Sequence, residues 1–500
     1  MAYQAPVRDM LFALGEIAGL NALVGSEAFP DFDADTAPAV LEAAGQFSAE
    51  VLAPLNRVGD TEGSRYANGR VTTPPGFPEA MRAFADGGWN GLAADPAFGG
   101  QGLPKALAFA VFETVHAANL AFGLCPTLTQ GAIEAIHTHG DAGQKARFLP
   151  PLIAGRWTGT MNLTEPQAGS DLSLLRTRAE PDGQGGWRLH GEKVFITWGD
   201  HDCAENIVHL VLARLPDAPA GSQGVSLFVA PKRLVDADGN LGEPNALRPA
   251  GVERKLGIHA SPTCVMLYEG ARAELVGQPH KGLAAMFTMM NAARLAMGFQ
   301  GVGVAERAFQ QALAYALERL QGRSPWSPET PTTIFQHPDV RRMLATMKAK
   351  TEAGRALSCL TAVNADLART APTEAARSAA KLREEVLTPI AKAWCTDMGV
   401  EVASLGVQVH GGAGYIEETG AAQYWRDIRI TPIYEGTNGI QAIDLAGRKL
   451  GMADGEGVRA LLAEARAGAA AMAAHADARL APIGRRLAAA VQAADEATAW

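Results

Sequence analysis

Five hundred residues exceed one ordinary domain, and at ~100–200 residues per domain the chain implies two to four. A composition that is 47% hydrophobic and 19% charged describes a globular protein with a large core and excludes a disordered or collagen-like chain. The net charge of −9, from 44 Lys and Arg against 53 Asp and Glu, leaves no global positive field for a nucleic acid or an anionic bilayer.

Residues 1–34 read as a helical extension, with apolar residues three and four apart in MLFALGEIAGLNALV. Residues 35–155 read as an N-terminal α-domain. There TAPAVLEAAGQFSAEVLAPL is a helix with Asp35 or Thr36 as its cap, VTTPPGFPEAMRAF restarts a helix after prolines, and ALAFAVFETVHAANLAFG is apolar nearly all round and therefore central. The texture changes near Gly155. Over residues 156–278, short β-type runs such as WTGTMNLT, GWRLHGEKVFITWG, NIVHLVLARL and GVSLFVAP follow one another without helices between them. They imply an antiparallel barrel or sandwich, with turns at DGQGGW (182–187) and DADGN (236–240). Residues 279–450 return to helical periodicity and read as a helix bundle. Gly298, Gly301 and Gly303 lie inside its first helix, where each costs ~1 kcal/mol relative to alanine, so another helix must approach closely there. Residues 451–500 are an alanine-rich helical extension interrupted at Pro482 and Gly484. The pattern is still helical at Trp500, which implies further chain. The fold class is mainly α with a central antiparallel β-domain.

The five cysteines are scattered and never form CxxC, which argues against both a disulfide framework and a zinc cluster and fits a reducing cytoplasm. No run approaches a membrane span, and Arg8 and Asp9 stand where a secretory leader needs apolar residues. A phosphate loop, a strand-GxGxxG-helix unit, HExxH and GxSxG are all absent, and no metal is expected. Three segments remain. MNLTEPQAGSDL (161–172) opens as a strand and turns sharply with hydroxyls exposed. GEKVFITWG sets Phe195 and Thr197 on one strand face. In the third, a glycine turn at Gly411, Gly412 and Gly414 is followed by PIYEGTNGIQ, where Glu435 sits between apolar Ile433-Tyr434 and flexible Gly436-Thr437. Partial desolvation would raise that carboxyl toward neutrality and make it a usable base. Taken singly, these are a capped turn, a core strand and a loop glutamate.

Together and in this order, TEPQAGSD, FITWG, VQVHGGAGY and PIYEGTNGIQ resemble the acyl-CoA dehydrogenase family over roughly residues 35–450. The resemblance implies an N-terminal α-domain, a β-barrel or sandwich and a C-terminal four-helix bundle. It also implies FAD as cofactor and an acyl-CoA as substrate. Glu435 is then the base that removes the α-proton, the β-hydrogen leaves as hydride to flavin N5, and the product is a trans-2-enoyl-CoA. The flavin ring would lie against Met161, Leu163 and Thr164, with Phe195, where the family usually has tryptophan, and Thr197 on its far side. Arg319 and Gln321, with Gln408, Gly411 and Gly412 of a second subunit and with Thr437 and Gly439 beside the base, would meet the adenine and pyrophosphate end of the cofactor. Ser170, on the flavin loop, and Asn291, Arg294 and Gly436 match the family's substrate contacts, Asn291 replacing a common aspartate. The resemblance further implies a homodimer or homotetramer in the cytoplasm that passes electrons to an electron-transfer flavoprotein. The segment APVRDMLF and the extension past Gly451 resemble a longer subgroup that includes 3-methylthiopropionyl-CoA dehydrogenases. An acyl-CoA oxidase using oxygen would share the same loop and base. An AidB-like flavoprotein with a nucleic-acid role is opposed by the net negative charge.

Overall fold

In the computed structural model, which describes residues 3–499, helices occupy the two ends of the chain and strands its middle. The first part comprises α1 (Val7–Phe12), α2 (Thr36–Phe47), α3 (Ala53–Glu62), a hairpin of β1 (Arg65–Ala67) and β2 (Arg70–Thr72), then α4 (Phe77–Asp86), α5 (Lys105–Ala118), α6 (Leu120–His139) and α7 (Ala142–Ile153). The cap of α2 differs from expectation. It is the Asp33 carboxylate that accepts the N–H groups of Thr36 (2.8 Å) and Asp35 (3.1 Å), because an acceptor two or three residues upstream reaches the free N–H groups at the helix start. The central apolar run is two helices, not one. Asn119 leaves the helical region (φ −159°), and its side-chain oxygen takes the Phe122 N–H at 3.0 Å to start α6.

Nine strands follow: β3 (Trp157–Asn162), β4 (Arg178–Pro181), β5 (Trp187–Thr197), β6 (Asn206–Arg214), β7 (Val225–Pro231), β8 (Arg233–Val235), β9 (Leu241–Pro244), β10 (Leu247–Val252) and β11 (Thr263–Val276). The pairing runs β11-β5-β4-β6-β7 and returns from β7 to β11, so the sheet closes on itself; β10 flanks β11 and β3 flanks β6. Both predicted turns form, DGQGGW between β4 and β5 and DADGN between β8 and β9. The expected antiparallel arrangement forms with two exceptions. β3 lies parallel to β6 from Trp157 beside Asn206 to Asn162 beside Val211, and β4 meets β6 in the same sense. Parallel neighbours need a long crossover, and the chain between Asn162 and Asn206, which contains β4 and β5, supplies it.

The last part is α8 (Gly282–Glu318), α9 (Pro338–Thr370), α10 (Glu374–His410), α11 (Ala421–Ile428), α12 (Asn438–Asp444), α13 (Glu456–Ala473) and α14 (Leu480–Ala499). α8 packs on α5, α6, α9 and α10. A Cβ on Gly301 would stand 2.3 Å from the Cys395 carbonyl oxygen of α10, and one on Gly303 2.7 Å from the Glu113 carbonyl oxygen of α5. These glycines therefore set how close three helices come. Pro482 does not interrupt its helix as expected; it lies in the first turn of α14, where a missing N–H costs nothing.

One polar knot ties the three parts together and aims the chain that leaves α11. Asp60 of α3, almost fully buried, accepts from Arg426 of α11 at 2.6 and 2.8 Å and from His259 at 3.0 Å. Burial would raise the Asp60 carboxyl, but His259 and Arg426 hold it well below the usual carboxylate range. The hydrogen bond that His259 donates to Asp60 raises the imidazole from 6.5 to about 9. A raised histidine stabilises the fold fully below pH 6.5 and loses that contribution as pH rises through 9. Thermal unfolding of the native protein should therefore move down toward that of His259→Gln over this window; parallel profiles would show that the pair contributes nothing.

Candidate active site

The loop after β3 is built around a carboxylate turned inward. Glu165 accepts from Lys193 Nζ (2.8 Å), from the N–H groups of Arg176 (2.7 Å) and Thr177 (3.0 Å), and from Gln167 Nε2 (2.6 Å). Lys193, with no exposed surface, also donates to the Leu163 carbonyl at 2.9 Å, and the Val194 N–H donates to the Thr164 carbonyl at 2.9 Å. Burial alone would raise Glu165, yet the adjacent ammonium holds it at about 2; burial lowers Lys193 to about 8 against the pull of Glu165. Residues 161–165 and 193–197 are thus stitched together at one edge of the barrel.

At that edge β5 bulges. Met266 pairs with Lys193 and Cys264 with Ile196, so Val194 and Phe195 share one opposing residue. Phe195 has φ +60° and is 62% exposed, beside half-buried Met161, Thr164 and Thr197. An exposed aromatic ring next to a methionine and two hydroxyls fits a flat, largely apolar ring with polar edges, as in FAD. Leu163 keeps its side chain in the core and its carbonyl on Lys193. Ser170 stands exposed farther along the same loop.

The second group lies between the helices. From Ile428 the chain crosses to α12 through residues 429–437, where Glu435 (φ +55°) and Gly436 (φ +83°) adopt consecutive left-handed conformations. For glutamate this costs on the order of 1 kcal/mol or more, and it persists only where the surroundings over-determine it. They do so here. Tyr434 donates to Gln300 Oε1 at 2.5 Å, and the Asn438 N–H donates to the Pro432 carbonyl at 3.0 Å. The Thr437 hydroxyl caps α12 through the Ile440 N–H at 3.1 Å. The Asn438 side chain donates to the Ala393 carbonyl (3.1 Å) and Asp397 Oδ1 (2.9 Å) of α10 and accepts from Lys392 Nζ (2.8 Å). A side chain at position 436 would also strike Gln441, at 2.8 Å. Arg294 of α8 reaches the Glu435 carbonyl at 3.4 Å and Asn291 at 3.4 Å.

Glu435 is half-buried, and no side chain hydrogen-bonds its carboxylate among the described residues. Burial pushes it from 4.5 up to about 7, against the opposing charges of Arg294 and Lys392. Burial likewise lowers Arg294 below its usual value and Lys392 to about 8. A carboxyl poised near neutrality on a strained loop is equipped to take a proton from a weak carbon acid. Between α5, α6 and α8 runs a cleft walled by Ala108, Phe109, Phe112, Ile133 and Ala296. Its polar groups are already engaged: Lys105 pairs with Glu134 at 2.7 Å, Gln130 bonds the Asn90 carbonyl, and Thr127 donates to the Gly123 carbonyl.

The remaining predicted residues form a separate, third group. Arg319 and Gln321 follow α8, Gln408 ends α10 and Gly411 and Gly412 come after it, all exposed; the two helix ends meet where Tyr315 stacks on His410 at 4.5 Å. Among the described residues, no hydrogen bond or ion pair joins this group to Phe195 or Glu435. Thr437 and Gly436 lie with the base, and Gly439 is exposed one turn beyond it. Sequence reasoning missed Glu165, Lys193, Lys392 and Asn438. The available signal was a lysine in the middle of the apolar strand run KVFIT and another on the buried stripe of α10, since a lysine in such a place requires a partner.

Among the described residues no cluster of His, Cys, Asp and Glu could hold a metal, and no helix is long and apolar enough to cross a membrane. The five cysteines are buried and unpaired. The chain matches the acyl-CoA dehydrogenase N-terminal domain over residues 35–156, the middle domain over 160–270 and the C-terminal domain over 280–450. It is 52% identical to 3-methylmercaptopropionyl-CoA dehydrogenase of Ruegeria pomeroyi, covering 90% of this chain and 76% of that one. It is 35% identical to the broad-specificity linear acyl-CoA dehydrogenase FadE5 of Mycobacterium tuberculosis, covering 90% and 75%. Butyryl-CoA dehydrogenase from Megasphaera elsdenii superposes with a TM-score of 0.68 at 26% identity, covering 83% of this chain and 97% of that one. Three consecutive family domains and a relative 52% identical over most of the chain make this chain a member of the acyl-CoA dehydrogenase family, an oxidoreductase that uses FAD to dehydrogenate acyl-CoA.

Proposed function

We propose that Glu435 removes the α-proton of a short acyl-CoA thioester, with 3-methylmercaptopropionyl-CoA as the preferred substrate and an electron-transfer flavoprotein as the acceptor. The observation that carries this reading is the Glu435 carboxyl, raised to about 7 by burial and held by a loop whose two left-handed residues are pinned from α8 and α10. When bound, FAD accepts the β-hydrogen with its electron pair. Met161, Thr164, Phe195 and Thr197 bind and orient it, and the exposed group at Arg319, Gln321, Gln408, Gly411 and Gly412 serves the flavin of a neighbouring subunit, so the working enzyme is at least a dimer. Ser170, Asn291, Arg294 and Gly436 hold the substrate, and the Glu435 backbone N–H polarises the thioester oxygen. The acyl chain lies in the α5–α6–α8 cleft, whose lining is mainly apolar and includes the rings of Phe109 and Phe112. A thioether gains there from sulfur–aromatic contact.

Anaerobic reduction of the yellow enzyme should be fastest with 3-methylmercaptopropionyl-CoA, slower with butyryl-CoA and slowest with palmitoyl-CoA. Faster reduction by palmitoyl-CoA would overturn the substrate assignment. Turnover with a one-electron dye should far exceed peroxide formation in air; abundant peroxide would make the enzyme an oxidase.

A further inference from the structure

We propose that Lys392 is a positioning residue for the base: its buried ammonium ties the Glu435 loop to α10 through Asn438 and supplies the positive charge that keeps the Glu435 carboxylate ionised. The inference rests on Glu435 being the base. Lys392 has no exposed surface, yet among the described residues it forms no ion pair, and Asn438 Oδ1 at 2.8 Å is its hydrogen-bond partner. An ammonium has three protons to donate, and a buried lysine without a carboxylate partner is rare. The charged groups facing it are Glu435 from the loop, Asp397 from its own helix and Arg294 from α8. Asp397 is occupied by the Asn438 amide at 2.9 Å, and Arg294 repels it. Glu435 is the foremost of the two carboxylates whose charge the lysine balances, Asp397 being shared with the Asn438 amide.

From the other side, the charged and titratable groups that face Glu435 are Arg294, Lys392 and the neighbouring Tyr434 hydroxyl. Arg294 already directs Nε to the Glu435 carbonyl and Nη1 to Asn291, so part of its capacity goes to the loop backbone and its own helix. Lys392 has no such second engagement. Asn438 couples the two functions. Its carbonyl accepts a hydrogen bond from the ammonium, and its amide grips the Ala393 carbonyl and Asp397, so the residue three positions after the base is locked to the turn of α10 that carries the cation.

The test is the pH profile of kcat/KM for the FAD-containing enzyme, read beside its flavin absorbance. An opposite charge within about 4–6 Å shifts a carboxyl by about 1–3 units. The native acid limb should therefore lie near pH 7 and move up by about one unit in Lys392→Met. That is about a tenfold loss on the acid side that closes as pH rises, and Lys392→Arg should return the limb toward its native position. If the Met variant does not retain flavin, Lys392→Gln is read in the same way. An unmoved limb, with the rate either unchanged or lowered equally at every pH, overturns the proposal and leaves Lys392 a packing residue. Failure of the native enzyme to be reduced by any acyl-CoA sinks the functional reading itself, an outcome distinct from a native limb near 7 that the neutral variants do not displace.

Discussion

Glu435→Gln should stay yellow and lose about 10²–10⁴-fold in the rate at which an acyl-CoA reduces it, the range a positioned general base contributes. The fold around position 435 does not depend on the carboxylate. The loop is held by Tyr434 on Gln300, by Asn438 on α10 and by the Thr437 cap, and Arg294 binds the backbone carbonyl. An amide of the same shape leaves every one of these bonds in place. The pH dependence has a definite sign. Glu435 is raised from 4.5 to about 7, so the protonated form suits the folded state, and ionising it above 7 is a strain on the protein. The native kcat/KM should rise with pH through about 7 as the base ionises. Meanwhile Glu435→Gln, which never carries that charge, should unfold at pH 8 no lower than the native protein. Complete bleaching of the variant by substrate at the native rate would remove Glu435 from the role of base.

The largest effect on stability should come from Glu165→Gln, which leaves Lys193 charged, fully enclosed and without a counter-ion. Removing one member of a buried pair costs about 3–5 kcal/mol, most of it from the stranded charge. Here the loss has a second consequence. The same ammonium holds the Leu163 carbonyl, and Glu165 gathers the N–H groups of Arg176 and Thr177. Releasing it frees the segment that carries Met161 and Thr164 from the segment that carries Phe195. Denaturant unfolding should show the loss of stability, and the purified variant should contain less FAD than the native protein. The double change Glu165→Gln with Lys193→Met should recover most of the stability, because neither charge then needs a partner. If the single variant unfolds like the native protein and keeps its full flavin complement, the pair is not what joins these segments.

The helices were legible because their signals are local. An apolar residue every three or four positions marked α8, α9 and α10, and glycines placed where a helix is weakened by them foretold the contacts of Gly301 and Gly303. The two β-turns were readable from Gly, Asp and Asn for the same reason. What escaped was non-local. That β3 would lie parallel to β6 depends on how far the chain travels before it returns. That β5 would bulge at Phe195 depends on the register of β11, more than sixty residues later in the chain.

The candidate site divides along the same line. Sequence by itself determined the order of the domains and the residue types of the chemistry: a glutamate among apolar neighbours, a loop of hydroxyls and an aromatic strand. Tertiary structure decided which of them meet and with what charge. Arg294 precedes Glu435 by 141 positions and Lys392 precedes Asn438 by 46, yet both cations converge on one loop. Burial of the loop, opposed by those two cations, sets the Glu435 carboxyl near neutrality, because a charge is shifted by what lies within a few ångströms in space, and chain order does not encode that distance.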